Sequence, residues 1–344
     1  MKNILVTGGL GFIGSVTCSL LLKKGFNIII IDNNHVRNRD NLDNLLLISS
    51  NIKRKLFLYD YDLKNLKETN SVFSDHNIDG VIHFAALKSV PDSMKDPFEY
   101  YSNNILGSLN LFNAMVKHNV KQIVFSSSAA IYSPENTYPI KEDSKIEPQN
   151  PYASSKYFIE NILEDFYESH EVSSISLRYF NPIGTDELNI FGDTFDEDNK
   201  SITSSIIKTI NDEQKHLEIY GSDYDTKDGT ALRDFIHVQD VASAHIDALN
   251  LLFKRNKVFE CINIGCGKGY TVLELVRMFK NLSGSNFEYK FCKPRKNDIP
   301  SSVADIRKAK NILKWKPHLS LDKMCEDVLK QIENGVWNQK KYKT

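Results

Sequence analysis

The chain has 344 residues, 41% of them hydrophobic, and its 43 Lys and Arg nearly cancel its 44 Asp and Glu, leaving a net charge of −1. That length suits about two domains with an ample core, and so balanced a charge recommends neither nucleic acid nor an anionic membrane as partner. Cys18, Cys261, Cys266, Cys292 and Cys325 show no C-x-x-C spacing, which predicts a reduced, cytoplasmic protein with free thiols. The nine histidines fall in no ligand spacing, so no metal is expected. No apolar run approaches a membrane span, and with a strand beginning almost at Met1 no cleaved leader is expected.

Residues 3–6 (N-I-L-V) read as a short buried strand, followed by the turn T-G-G-L-G-F-I-G and the helical pattern S-V-T-C-S-L-L-L-K-K-G. Gly9, Gly11 and Gly14 satisfy G-x-G-x-x-G, and Gly8, Gly11 and Gly14 the related G-x-x-G-x-x-G. Such glycines allow a tight strand-to-helix turn and bring backbone amides close to a pyrophosphate, with the helix dipole adding favourable potential. The next strand, I-I-I-I-D, ends at Asp32, at the spacing of the carboxylate that binds an adenosine ribose and repels a 2′-phosphate. The predicted cofactor is therefore NAD rather than NADP. Arg37 and Arg39, downstream, read as surface charges.

Strand-like runs continue at 55–60, 79–86, 120–128 and 173–180, with helical patterns between them, notably 97–118 and 151–168. Aliphatic strands alternating with amphipathic helices predict an α/β fold, a doubly wound Rossmann-like parallel sheet covered on both faces. After residue 181 the rhythm shortens. We expect a nucleotide-binding domain over 1–180 and a smaller α/β substrate domain over 181–344, with segments such as C-I-N-I-G-C-G (261–267) able to return to the main sheet. The acidic stretch 186–200 reads as a solvated loop, and Lys340, Lys341 and Lys343 as a solvated tail.

The fifth strand ends in F-S-S-S-A-A-I-Y, at the carboxyl end where open α/β sheets bind ligands. Ser128 is the predicted catalytic hydroxyl, while Ser126 and Ser127 are expected to satisfy backbone groups. In N-P-Y-A-S-S-K, Asn150 is a helix cap, Pro151 suits the first helical position, and Tyr152 and Lys156 share a helix face one turn apart. The neighbouring cation and the helix N-terminus should both favour the phenolate, making Tyr152 an acid/base for a hydroxyl proton. Taken alone, Y-x-x-x-K describes many surface helices; the dinucleotide turn beside it gives the pair its meaning.

Together these segments resemble the extended short-chain dehydrogenase/reductases, specifically the UDP-glucose (UDP-galactose) 4-epimerases. The resemblance also runs through V-I-H-F-A-A-L-K-S-V, Y-Y-S-N-N, L-R-Y-F-N-P-I-G and D-G-T-A-L-R-D-F-I-H-V. It implies cofactor contacts at Gly8, Gly11, Phe12, Ile13, Gly14, Asp32, Asn33, Asp62, Phe84, Lys88, Asn103, Tyr152, Lys156 and Phe180. It implies a catalytic trio of Ser128, Tyr152 and Lys156. On the UDP-sugar side it points to Lys88, Ser128, Tyr152, Asn181, Tyr220, Arg233, Arg295, Asp298 and Ser302, with the guanidinium groups suited to diphosphate oxygens. The implied reaction moves a hydride from the sugar C4 to tightly held NAD and returns it to the opposite face of a 4-keto sugar. A homodimer formed through helices 97–118 and 151–168 is implied as well.

Two positions depart from that pattern. Lys200 and Ser201 stand where many members carry paired asparagines, and Ser302 stands where hexose-only members carry a bulky tyrosine. The small residue resembles members that also accept N-acetylated hexoses; a local loop shift that leaves the pocket unchanged is the other reading. Ser128 is followed by Ala129 and Ala130, which cannot move protons, and this counts against a nucleotide-sugar 4,6-dehydratase. Retention of both Tyr152 and Lys156 counts against a non-catalytic NAD-binding regulator.

Overall fold

The computed structural model describes residues 1–33, 39–194, 201–295 and 298–334. Arg37, residues 195–200 of the acidic stretch (Lys200 among them) and the tail lysines Lys340, Lys341 and Lys343 lie outside the described residues. The first half supplies strands β1 (Asn3–Thr7), β2 (Asn27–Ile31), β3 (Leu56–Tyr59), β4 (Gly80–His83), β5 (Gln122–Ser128) and β6 (Ser173–Tyr179). The second half supplies β7 (Asn181–Ile183), β8 (Leu217–Tyr220), β9 (Leu232–Arg233), β10 (Phe235–His237), β11 (Phe259–Ile264), β12 (Tyr270–Thr271), β13 (Tyr289–Cys292) and β14 (Ser301–Ser302).

Seven strands form one sheet in the order β11-β6-β5-β4-β1-β2-β3, and every neighbouring pair is parallel. A strand such as β2, Asn-Ile-Ile-Ile-Ile, is buried at all five positions. Both of its faces must therefore be covered, as in a parallel sheet packed between helices. Helices Phe12–Lys23 and Val238–Lys254 cover one face through Leu21, Leu22, Val241 and Leu249. Helices Leu66–Asp75, Gly107–Lys117 and Pro151–His170 cover the other through Val72, Leu111, Phe112, Ile159 and Leu163. The C-I-N-I segment lies in β11 and pairs with β6 from Phe259↔Ser174 to Ile264↔Tyr179.

The chain winds β1-β2-β3 to one side and β4-β5-β6 to the other, so the strand order reverses between β1 and β4. The carboxyl ends of the strands open there into the crevice where such folds take ligands. The remaining strands form small units: β10 with β7, β9 between β12 and β14, and β13 with β8. They pack with helices Ile202–Ile210, Val272–Ser283 and Leu321–Glu333 around Ile206, Phe235, Phe279 and Met324. Among the described residues no helix is long and apolar enough to cross a membrane. No group of three or more metal-ligating side chains is gathered there.

Candidate active site

The glycine turn packs its backbone against the end of β4. Gly8 has φ +67°, and a Cβ added there would stand 2.7 Å from the Ala85 amide nitrogen; one added at Gly14 would stand 2.1 Å from the Gly8 carbonyl oxygen. Side chains are excluded at both places, which leaves the bare cradle that a pyrophosphate needs at a helix N-terminus. Phe12 and Ile13 open that helix. Asp32 follows β2, and its Oδ2 accepts the Leu10 amide at 2.9 Å, tying the carboxylate to the turn. Asn33 is exposed beside it. Arg39 begins the helix Arg39–Asn51. Asp62 caps the loop after β3, accepting the Lys64 amide at 2.8 Å. Phe84 follows β4 and packs against His245, the rings tilted and their centroids 4.6 Å apart. Lys88 reaches Asp193 at 3.4 Å and lies 5.9 Å from the centroid of the Phe12 ring.

The segment 97–118 is interrupted. A wide-turn π-helical stretch, Ser102–Leu106, separates Pro97–Tyr101 from Gly107–Lys117. Asn103 donates to Asn104 Oδ1 at 3.0 Å. Asn104, fully buried, accepts the Leu87 amide at 2.8 Å and donates to the Leu87 carbonyl at 3.1 Å and Ser155 Oγ at 3.0 Å. It thereby latches the β4 loop to the helix Pro151–His170. The second asparagine of Y-Y-S-N-N, overlooked in the sequence, is the buried one.

That helix starts as its sequence predicts: Asn150 accepts the Ala153 amide at 2.9 Å, and Pro151 takes the first position. A cap of this kind contributes about 1 kcal/mol. Tyr152 and Lys156 then face the end of β5. Ser128, buried, stands near enough to the Tyr152 phenol to favour its ionised form, and accepts the Ala130 amide at 3.2 Å. Lys156, only 3% exposed, donates to the Ser126 carbonyl at 2.8 Å, with its ammonium 6.0 Å from the centroid of the Tyr152 ring. Burial pulls Lys156 down to about 7 against the opposing charge of Glu160.

Two expectations need correction. The phenol of Tyr152 is raised, not lowered: burial outweighs the nearby Ser128 hydroxyl and the Lys88 charge, which favour the phenolate. The reason is that the Lys156 ammonium is turned to a strand carbonyl, so desolvation dominates. Ser126 and Ser127 also do more than satisfy backbone groups. Ser126 Oγ meets the Tyr179 hydroxyl, and Ser127 Oγ donates to Glu160 Oε1 at 2.5 Å. Glu160 continues the i, i+4 series from Tyr152 and Lys156, a signal present in the sequence but not used.

The other predicted residues come from the second half of the chain. Phe180 is buried, and Asn181 begins β7, its amide bonded to the Asp234 carbonyl at 3.1 Å. Arg233 donates to Asp298 Oδ1 at 2.7 Å. Arg295 lies over the Tyr220 ring, Cζ to centroid 4.4 Å, and its carbonyl accepts the Asp298 amide at 3.1 Å. The Tyr220 hydroxyl donates to Glu218 at 2.7 Å. Ser302, buried in β14, pairs in register with Arg233. Ser201 caps Ile202–Ile210 by accepting the Ser204 amide at 3.1 Å. Asp234 was not anticipated: its buried carboxylate accepts the amides of Cys266, Gly267 and Ala304 at 2.7, 2.9 and 3.1 Å. It joins the end of β11 to the strand that carries Arg233. Burial raises it to about 6, against those three bonds.

The fold thus brings a tyrosine, a lysine and a serine together at the carboxyl end of β5, beside a glycine turn bare of side chains. A family profile described as GDP-mannose 4,6 dehydratase spans residues 5–328. The UDP-glucose 4-epimerase of Cyamopsis tetragonoloba is 40% identical over 343 residues, 98% of this chain and 96% of the relative. The UDP-glucose 4-epimerase of Stenotrophomonas maltophila, crystallised with NAD and formylated UDP-arabinopyranose, superposes with a TM-score of 0.92 at 34% identity, covering 97% of this chain and 99% of its own. The UDP-Glc/GlcNAc 4-epimerase of Campylobacter jejuni does so with a TM-score of 0.84 at 31% identity, covering 97% and 100%. The chain belongs to that broad dehydratase-type family and, within it, to the UDP-glucose 4-epimerases.

Proposed function

We propose that the protein interconverts UDP-hexoses at C4, and the observation that carries this is Ser128, Tyr152 and Lys156 converging at the carboxyl end of β5 beside the glycine cradle. The cradle and Asp32 hold NAD, which when bound supplies the hydride acceptor and donor for C4. Tyr152 takes the proton of the C4 hydroxyl and returns it when the configuration has changed. Ser128 bonds the same oxygen and fixes its distance from Tyr152. Lys156, when protonated, has its ammonium 6.0 Å from the centroid of the Tyr152 ring and is the cation that supports the phenolate at that moment. Arg233, Arg295 and Asn181 grip the UDP portion, so binding energy comes from the part of the substrate that does not turn. Elimination of water would need an acid and a base next to Ser128, and Ala129 and Ala130 present only methyl groups there.

The nucleotide-binding domain comprises residues 1–180 together with the returning helix and strand at 238–264; the rest of 181–344 forms the substrate domain. Met94 on the short helix Val90–Lys95, Phe98, Tyr101, Leu106 and Leu109 within residues 97–117, and Phe158 on Pro151–His170 expose apolar surface. The rings of Tyr101 and Phe158 lie 6.4 Å apart, centroid to centroid. A shared apolar face on two neighbouring helices supports a homodimer through a four-helix interface. The cysteines are all unpaired, in keeping with a cytoplasmic location. The small side chain of Ser302 supports UDP-N-acetylglucosamine as a substrate beside UDP-glucose. The test incubates purified protein, without added NAD, with UDP-galactose and with UDP-N-acetylglucosamine and identifies the products chromatographically. Conversion of both is expected. Conversion of UDP-galactose alone sinks the reading of Ser302, and conversion of neither sinks the reaction.

A further inference from the structure

Tyr152, Lys156 and Glu160 occupy successive turns on one face of Pro151–His170 and meet three consecutive residues of β5. Tyr152 lies where Ser128 favours its ionised form, Lys156 meets the Ser126 carbonyl at 2.8 Å, and Glu160 accepts Ser127 Oγ at 2.5 Å. Arg178, opposite Ser127 in the β5–β6 register, closes the arrangement from behind. Its Nε donates to Glu160 Oε1 at 2.9 Å and its Nη2 to Oε2 at 2.7 Å. Its Nη1 donates to the Tyr132 hydroxyl and the Glu142 carbonyl, both at 3.0 Å. Tyr132 in turn donates to Asn263 Oδ1 at 2.7 Å, so the network is anchored in β11. Glu160 and Arg178 are both buried. A buried pair of this sort contributes little net stability, because desolvation offsets its attraction. What it does supply is a carboxylate held rigidly one helical turn from Lys156.

We propose that Glu160, braced by Arg178, is a positioning residue for the epimerisation: it fixes the end of β5 through Ser127, keeps the Lys156 ammonium in place, and so sets Ser128 against Tyr152. The inference rests on the proposed reaction. Several groups surround Lys156. Tyr152 and Glu160 come from its own helix, Tyr179 from β6 through Ser126, and His83 from β4. Lys88 acts on Tyr152 from the β4 loop. His83 sits between Thr7 Oγ1 at 2.6 Å and Ser108 Oγ at 2.8 Å, and burial plus the Lys156 charge takes it down to about 3, so it stays neutral. Burial pushes the Tyr179 phenol up. Glu160 is thus the carboxylate whose charge acts on Lys156. Its removal lowers the Lys156 pKa, and the limb of the pH profile on which Lys156 loses its proton moves to lower pH.

The experiment follows UDP-galactose conversion by the NAD-loaded full chain across pH. In Glu160→Gln the alkaline limb of kcat should move down by about one pH unit, a tenfold change in the charged fraction, with KM changed less than about twofold. Because that variant leaves Arg178 buried without its counter-charge, Glu160→Gln/Arg178→Met is measured beside it, and the same direction of shift is expected. Ser127→Ala keeps the charge and removes the strand contact, so kcat should fall several-fold with the pH profile in place. Folded charge variants with the parent's profile overturn the proposal. If neither charge variant folds, Ser127→Ala with the parent's kcat overturns it alone. An inactive parent refutes the reaction and this role together, whereas an active parent with unmoved variants refutes only this role.

Discussion

Gly14 and Gly11 belong to the same turn, yet the structure separates what each glycine is for. A methyl group at Gly14 meets the Gly8 carbonyl oxygen at 2.1 Å and the Gly9 Cα at 3.0 Å, both backbone atoms that cannot move aside alone. At Gly11 the nearest such atom is the Gly8 oxygen at 3.4 Å, an ordinary contact, and the backbone is extended at φ −71°. Gly14→Ala should therefore destabilise the protein itself by about 3 kcal/mol. With an unfolding entropy of roughly 2 cal/mol/K per residue, that lowers the melting temperature by about 4 °C. Gly11→Ala should leave the melting temperature of the cofactor-stripped chain unchanged or slightly raised. Its methyl would instead occupy the approach to the helix N-terminus and weaken NAD at least about tenfold, or 1.4 kcal/mol. The assay pairs thermal melts of stripped protein with quantitation of the NAD released on denaturation. A Gly11→Ala protein that carries its full NAD, or a Gly14→Ala protein that melts with the parent, would refute the assignment.

Tyr152→Phe should retain NAD and lose turnover by about 10²–10⁴-fold; loss of NAD together with activity would make Tyr152 a cofactor clamp instead. Asp234 is held at about 6 in the folded state. Its unfolded value is about 3.9, so the folded state binds this proton more tightly. The contribution of Asp234 is present below about pH 4 and lost as pH rises towards 6, roughly 2–3 kcal/mol in all. In Asp234→Asn the stability difference from the parent should move in the variant's favour by that amount between pH 4 and 7, measured by denaturant unfolding. A constant offset at all pH values would count against the assignment. Phe98, 80% exposed, lies on the proposed dimer face. Phe98→Glu should halve the mass seen in sedimentation, and an unchanged mass would remove the four-helix interface.

The strands of the main sheet were legible because both faces are buried and the code is almost pure Ile, Val and Leu. The Asn150 cap and the Pro151 start were legible because capping chemistry is local. What escaped depends on how elements cross. Glu160 meets Arg178 only because the register sets Ser127 beside Arg178 and the helix lies over both. Asn104 rather than Asn103 is buried because the π-helical stretch at Ser102–Leu106 shifts the phase of the side chains. The direction of the Tyr152 shift could not be read from its neighbour Lys156, because burial, set by the fold, outweighed the nearby charge. Asp234 sits in a recognisable motif, but its three amide donors come from two distant segments.

The return of β11 to the sheet has a bearing on synthesis. β6 is complete at Tyr179, whereas its outer neighbour begins at Phe259, about 80 residues later. At ~5–20 residues per second, a ribosome leaves that edge bare for roughly 4–16 s. Through this interval β6 presents an unpaired ladder of amides and carbonyls, a template for another nascent chain. The helix Val238–Lys254, which covers the apolar face above β5 and β6, also arrives late. The strand that carries Arg178 is thus the one most in need of chaperone protection while the protein is being made.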